Sequence, residues 1–339
     1  MSTLKTYKHN APFQLENGSI LPELEVGYHT YGQLNTDKTN AVWICHALTA
    51  NSDVAEWWDG LVGDGKIFNP DEHFIVCANF LSGCYGTTGP KSINPETNKP
   101  YYGSFPAITI RDMVEAHKVL QQHLGINKIE VGVGGSMGGY QILEWMIQQP
   151  ELFTQSFLIA TSPKESPWGI GIHTAHRMAM ELDPTWNSTE IEGGKKGIQA
   201  ARAIGMMSYR TYNSFCIKQD EESEEKISDF KAESYIRYQG KKLSERFNPY
   251  AYWNLLNAMD THNIARGRGL MENVLANIKI PTLIIGIDGD LLCPLREQRF
   301  MAEFIPNSTL VEIESDFGHD GFLMEAEKIT KALKQFLKK

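Results

Sequence analysis

At 339 residues, 42% hydrophobic and 22% charged, the chain has the composition of a globular protein long enough for one large α/β domain carrying a substantial insertion. A net charge of -9 and a pI near 5.6 argue against nucleic acid or an anionic membrane surface as the main partner, while leaving room for a local basic pocket around an anionic ligand. The polar segment Met1 to Gly18 has no apolar leader core, no later apolar run is long enough to span a bilayer, and the five cysteines are widely spaced without a C-x-x-C pair. A cytoplasmic protein with reduced thiols, lacking both a disulfide framework and a zinc site, is expected.

In chain order, Phe13 to Leu15, a Glu-Asn-Gly-Ser turn and the run Ile20 to Tyr31, alternating through Leu24, Val26 and Tyr28, read as a hairpin. Compact apolar runs bounded by turn residues follow at Ala41 to Cys45, Phe74 to Ala78, Ile129 to Val133, Ser156 to Ala160 and Thr282 to Ile287, the pattern of strands buried on both faces. Helical periodicity over Thr109 to Leu124 and Met137 to Gln149 alternates with them, and a last strand at Thr309 to Ile313 precedes a helix from about Phe322 to Leu337. That alternation predicts a largely parallel sheet with helices on both faces. Residues from about Ser162 to Asn277, rich in Met, Tyr, Trp, Gly and charge, show helical periodicity with no convincing strand. The chain therefore divides into a first core part over 1–161, a helical lid over 162–277 and a second core part over 278–339. Within the lid, the acidic stretch Gln219 to Lys226 reads as a solvated helix face or loop.

The most informative segment is Ile129 to Trp145, where an apolar strand breaks through glycines into a helical pattern with Ser136 at the break. Gly134 and Gly138 flank that serine as G-x-S-x-G, a nucleophile elbow, because a sharp strand-to-helix turn leaves no room for side chains beside it. The turn also aims the N–H groups of the new helix at the serine, where negative charge on a substrate oxygen would develop. A dinucleotide fingerprint counted from Gly132 and Gly134 would need glycine or alanine at 137, where Met137 stands. A hydrolase or acyltransferase is the resulting expectation.

A serine hydroxyl is a weak nucleophile, so the chain must supply a base and a group to orient it, and in the elbow fold these follow in the order Ser, acid, His. Asp288 and Asp290 both lie in the loop after the strand Thr282 to Ile287. Asp290, four residues before Pro294, stands further out and is preferred, with Asp288 as its rival in the role of a turn residue bonding its own backbone. His319, between glycines after the last strand, is the candidate base. His46 is the main rival, but it precedes the serine and suits an oxyanion-loop or packing role. His173 and His176 lie one helical turn apart without a third ligand, so no metal site is expected.

With elbow, acid loop and histidine in place, the chain resembles the homoserine O-acetyltransferase family of α/β-hydrolase-fold acyltransferases almost from end to end. The likeness is carried by His46-Ala-Leu-Thr49, Gly83-Cys-Tyr-Gly-Thr-Thr-Gly-Pro90, Phe105-Pro-Ala-Ile-Thr-Ile-Arg-Asp-Met113, Gly134-Gly-Ser-Met-Gly-Gly139 with Gln141 and Glu144-Trp145, and Gly318-His-Asp320. In the lid it is carried by Ala201-Arg202, Ser208-Tyr209-Arg210, Glu233-Ser-Tyr-Ile236 and Tyr238-Gln-Gly240. The resemblance implies that Ser136 accepts an acetyl group, that His319 is base and then acid, that Asp290 orients His319, and that the N–H groups of Leu48 and Met137 form the oxyanion hole. It also implies a substrate-binding set of Thr49, Arg202, Tyr209 and Asp320, with Arg202 and Tyr209 on the amino-acid carboxylate and Asp320 on the ammonium. It further implies acetyl-CoA as donor substrate with no permanently bound cofactor, L-homoserine as acceptor, a place in methionine biosynthesis and a homodimer. The sequence departs from the common family pattern at Ala50-Asn-Ser-Asp53, at Tyr140, where methionine is frequent, and at Asn248-Pro-Tyr250. Transfer to L-serine, use of succinyl-CoA, ester hydrolysis on the same triad and a binding protein with a vestigial triad stand as rivals.

Overall fold

The structure, a computed structural model, describes residues 2–186 and 193–337. Its centre is one sheet of eight strands: β1 (Lys5–His9), β2 (Leu24–Tyr31), β3 (Ala41–Cys45), β4 (Phe74–Ala78), β5 (Ile129–Gly135), β6 (Phe153–Ile159), β7 (Thr282–Ile287) and β8 (Ser308–Ile313). They are ordered β1-β2-β4-β3-β5-β6-β7-β8. The β1–β2 and β2–β4 pairs are antiparallel and every later pair is parallel. The expected α/β-hydrolase architecture is thus present, and its parallel strands bring the carboxyl ends of β3, β5, β7 and β8 to one edge.

Alternation along β3 sorts the core into two layers. Ala41, Trp43 and Cys45 face a cluster that includes Met113, Leu120, Ile142 and Trp145. These come from α1 (Ile110–Leu124) and α2 (Met137–Gln148). Val42 and Ile44 face the opposite cluster, with Phe157, Ile329, Leu333 and Phe336. Because both faces are covered, the strands carry near-continuous apolar runs, which is why they stand out in the sequence. Each fully buried large side chain contributes about 1.5–3 kcal/mol, and Trp145 adds edge contacts to Trp43 at 5.1 Å and Phe153 at 5.5 Å. Helix α1 starts at a capping box: the Thr109 hydroxyl accepts from the Asp112 N–H and the Asp112 carboxylate accepts from the Thr109 N–H.

Between β6 and β7 the chain forms α3 (Pro167–Glu181), α4 (Lys195–Tyr209), α5 (Tyr212–Gln219), α6 (Lys231–Arg246) and α7 (Pro249–Asp260). Gln219 to Lys226 covers the end of α5 and the loop after it, mostly exposed. Helix α8 (Leu295–Phe304) precedes β8, and α9 (Ala326–Phe336) closes the described chain. Among the described residues no helix is long and apolar enough to cross a membrane.

Three details differ from the sequence reading. The hairpin is limited to Phe13–Gln14 paired with Ile20–Leu21, while Leu24–Tyr31 leaves it to join the main sheet. Its partner β1 went unread because Lys5–His9 is a mostly exposed edge strand with no apolar alternation. The C-terminal helix is broken at Glu325 (φ -96°, ψ 42°) into Gly321–Met324 and Ala326–Phe336. The Phe322 carbonyl, which a continuous helix would pair with the Ala326 N–H, accepts instead from the Trp58 indole at 3.1 Å.

The join of α2 to the sheet leaves no space at Gly138, where a Cβ would lie 2.0 Å from the Cys45 carbonyl oxygen, whereas a Cβ at Gly171 on α3 meets nothing within 4 Å. Gly138→Ala is expected to destabilise the protein by about 3 kcal/mol, since the obstacle is backbone and cannot move aside. Gly171→Ala is expected to stabilise it by about 1 kcal/mol through helix propensity. Denaturant midpoints of the two variants should move in opposite directions.

Candidate active site

Ser136 stands between β5 and α2 with φ 54° and ψ -128°, a conformation that a side-chain-bearing residue adopts only when its surroundings impose it. Here they do so through hydrogen bonds. The Ser136 N–H donates to the Ile159 carbonyl at 3.0 Å, and its own carbonyl accepts from the Gly139 N–H at 2.9 Å and the Thr161 hydroxyl at 2.9 Å. Gly134 permits the turn, because a Cβ there would sit 2.4 Å from the Gly138 carbonyl oxygen.

His319 follows β8 in a single 3-10 turn, Gly318–Asp320. Its Nε2 lies 2.8 Å from Ser136 Oγ and its Nδ1 lies 2.7 Å from Asp290 Oδ2. An ionised carboxylate only accepts, so Nδ1 carries the proton and Nε2 is free to accept from the serine hydroxyl. Asp290 is fixed in turn, its Oδ1 accepting from the N–H groups of Leu292 at 2.8 Å and Cys293 at 2.9 Å. All three side chains are buried, with Ser136 8%, Asp290 4% and His319 5% exposed. The rival Asp288 is exposed and accepts from the N–H of its neighbour Gly289 at 3.0 Å. The structure thus brings Asp290, not Asp288, to the histidine.

Burial alone would favour neutral His319, yet the Asp290 charge and hydrogen bond, with Asp320 and Glu165 beyond, outweigh it and raise the imidazole pKa above its usual value. His46 behaves oppositely. Burial lowers its pKa to about 3, its Nδ1 bonds the Ala47 carbonyl at 2.9 Å and its ring packs on Phe80 at 4.1 Å, which leaves it a packing role. His173 donates from Nδ1 to Asp260 at 2.7 Å, and Asp260 also pairs with Arg177 at 2.6 Å. His176 faces the Tyr252 hydroxyl at 3.3 Å, so these two histidines hold the helices together rather than converge on an ion. Asp290, Cys293 and His319 have ligand-type atoms within 4.8 Å of one another. The Asp290 and His319 atoms are engaged in the triad, and burial pushes the Cys293 thiol well above its usual pKa.

Ser136 and His319 open into a cavity of about 520 Å³ that is also lined by Leu48, Thr49, Arg202, Tyr209 and Asp320. Met137 is fully buried and is the first residue of α2, where an N–H has no acceptor within the helix. Gly138, next in α2, packs closely on the backbone of Cys45 and His46, two residues before Leu48. Arg202 lies with its guanidinium 5.0 Å above the Tyr209 ring, and among the described residues it has no carboxylate within ion-pair distance. Asp320 pairs with Arg210 at 2.9 Å. Burial nonetheless raises its pKa against the pull of Arg210, His319 and Arg202. The cavity therefore presents a cation, Arg202, and an anion, Asp320, together with a serine that has a base beside it, a polarity suited to a zwitterion bearing a hydroxyl.

Several contributors have no local sequence signal. Tyr140, which departs from the family pattern, donates its hydroxyl to Glu165 at 3.0 Å and stacks on His262 at 3.8 Å, tying α2 to the start of the helical insertion. Under the Ala50–Asp53 departure, Asn79 accepts from the Ser52 N–H at 2.8 Å, His29 bonds the Ser52 hydroxyl at 2.8 Å, and the Tyr31 hydroxyl donates to Asp53 at 2.5 Å. At the third departure Asn248 caps α7, accepting from the Ala251 N–H at 3.0 Å.

Comparison with known proteins agrees with this geometry. The α/β hydrolase fold family model matches residues 40–326. The chain is 48% identical over 322 residues to the homoserine O-acetyltransferase of Cyclobacterium marinum, an alignment that covers 95% of this chain and 92% of that one. The crystal structure of homoserine O-acetyltransferase from Bacillus anthracis superposes with a TM-score of 0.93 at 27% identity, covering 100% of this chain and 99% of that one. Esterase E22 superposes with a TM-score of 0.92 at 25% identity, covering 99% and 100%. By identity, coverage and fold, the chain belongs to the homoserine O-acetyltransferase family of α/β-hydrolase-fold enzymes.

Proposed function

We propose that the chain transfers an acetyl group from acetyl-CoA to the hydroxyl of L-homoserine, giving O-acetyl-L-homoserine for methionine biosynthesis. The observation that carries the reading is the pair of hydrogen bonds made by His319, one to Ser136 and one to Asp290. Ser136 Oγ attacks the thioester carbonyl while His319 Nε2 takes its proton; the negative oxygen is met by the N–H groups of Leu48 and Met137. The C–S bond then breaks, and His319 returns the proton to the departing sulfur. In the second half the homoserine hydroxyl gives its proton to His319 and attacks the acyl-enzyme, which releases Ser136. Arg202 and Tyr209 hold the acceptor carboxylate, Asp320 its ammonium, and Thr49 completes the wall of the site.

Water competes with the acceptor, so residues 162–277 are read as a lid, set between core parts 1–161 and 278–339, that excludes it and holds the alcohol in attack geometry. A cytoplasmic location goes with the same reading, as does a homodimer, which rests on the family resemblance. The likeness to esterase E22 supports ester hydrolysis as a second reading on the same triad. Steady-state release of CoA separates them: transfer predicts strong acceleration by homoserine, and hydrolysis predicts none. Faster transfer to L-serine, or faster use of succinyl-CoA, would overturn the substrate assignment.

Ser136→Ala should abolish the acyl-enzyme burst. Asp290→Asn should lower kcat on the order of 10⁴-fold by the serine-protease precedent, whereas Asp288→Asn, at the surface, should change it by no more than about twofold. Arg202→Ala should raise the homoserine KM roughly 10- to 100-fold, the scale of a lost hydrogen bond to a charged group, and leave the burst with acetyl-CoA intact. Acylation needs neutral His319, so its rate should be full above the raised imidazole pKa and fall as the pH drops through it. Because the Asp320 charge helps to raise that pKa, Asp320→Asn should move the acid limb of the acylation profile to lower pH, measured without acceptor.

A further inference from the structure

Helix α6 ends at Arg246, which reaches out of the helical insertion to the loop after β3. Its Nη1 donates to the Thr49 carbonyl oxygen at 2.6 Å and to the Tyr85 hydroxyl at 2.7 Å. That carbonyl lies two peptide units beyond the Leu48 N–H. The far end of the same loop is held by the core: the Ser52 N–H donates to Asn79 at 2.8 Å, and Asn79 donates to the Ser52 hydroxyl at 2.7 Å and to the Tyr85 carbonyl at 2.6 Å. Tyr85 therefore joins two braces, its carbonyl to Asn79 and its hydroxyl to Arg246, and its ring packs edge-on against Phe247 at 5.7 Å. Among the described residues Arg246 has no carboxylate within ion-pair distance, so its charge is directed to these two neutral oxygens, at the wall of the cavity that holds Ser136.

We propose that Arg246 is a positioning residue that couples the helical insertion to the oxyanion loop: by gripping Thr49 it aims the Leu48 N–H at the developing negative oxygen. This rests on the acyl-transfer reading and its oxyanion hole. An amide donor lends its full strength only when it points at the place where charge forms, and a small misplacement costs rate without changing affinity. With the insertion seated, the grip is made and the hole is complete.

The test is the acylation rate constant and donor KM of wild type, Arg246→Met and Arg246→Lys, read from the burst over a range of donor concentrations up to saturation with acetyl-CoA and with p-nitrophenyl acetate, the second carrying no nucleotide. Methionine keeps the packing and removes the hydrogen bonds; lysine keeps a donor for Thr49. The expected result is a fall on the order of tenfold for Arg246→Met with both donors, below the 10²–10³ of deleting an oxyanion donor, with unchanged donor KM and most of the loss recovered in Arg246→Lys. A loss confined to the KM for acetyl-CoA would overturn the proposal by showing that Arg246 meets the donor's phosphates. A wild-type burst matched by Arg246→Met would overturn it alone. A wild type that forms no acyl-enzyme with either donor would overturn the acyl-transfer reading along with it.

Discussion

The imidazole of His319 makes two hydrogen bonds, 2.8 Å to Ser136 and 2.7 Å to Asp290, joining side chains that stand 183 and 29 residues away in the chain. Both bonds are buried, where an imperfectly paired polar group is costly and a paired one is strong. They form only because parallel strands deliver the three loops to one edge of the sheet. Asp290 holds the histidine in the tautomer that leaves Nε2 free, and two backbone N–H groups hold Asp290. Precision in the side chains is thus inherited from the backbone.

The same edge carries a local strain that the fold must enforce. Ser136 keeps a positive φ because its N–H and carbonyl are both engaged and because the backbones of β3 and α2 touch at Gly138. The sheet supplies the triad, and the helices between β6 and β7 supply Arg202, Tyr209 and Arg246 to the cavity. One scaffold carries both an O-acetyltransferase and an esterase at closely similar TM-scores. The strained serine suits either chemistry, and function is decided by the groups placed around it.

Strands buried on both faces and a glycine-flanked serine are strong local signals, so the sheet from β3 onward and the elbow were legible in the sequence. Strand β1 was not, because an edge strand carries polar residues on both faces. Spacing alone left Asp288 and Asp290 open; what distinguishes them is the pair of N–H groups of Leu292 and Cys293 and the burial of Asp290, which are tertiary facts. The Tyr140–Glu165 bond and the grip of Arg246 on Thr49 join residues 25 and 197 positions apart, with no periodicity to announce them. The break at Glu325 depends on an indole 264 residues from the carbonyl it captures.

Mass spectrometry of the intact protein and its peptides after brief exposure to acetyl-CoA, followed by a chase with L-homoserine, tests the central claim most directly. The account predicts one acetyl group on the peptide containing Ser136, persistent in water on the time scale of the chase and discharged as O-acetyl-L-homoserine when the amino acid is added. Acetylation at another residue, no covalent adduct, or an adduct lost to water as fast as to homoserine would contradict it.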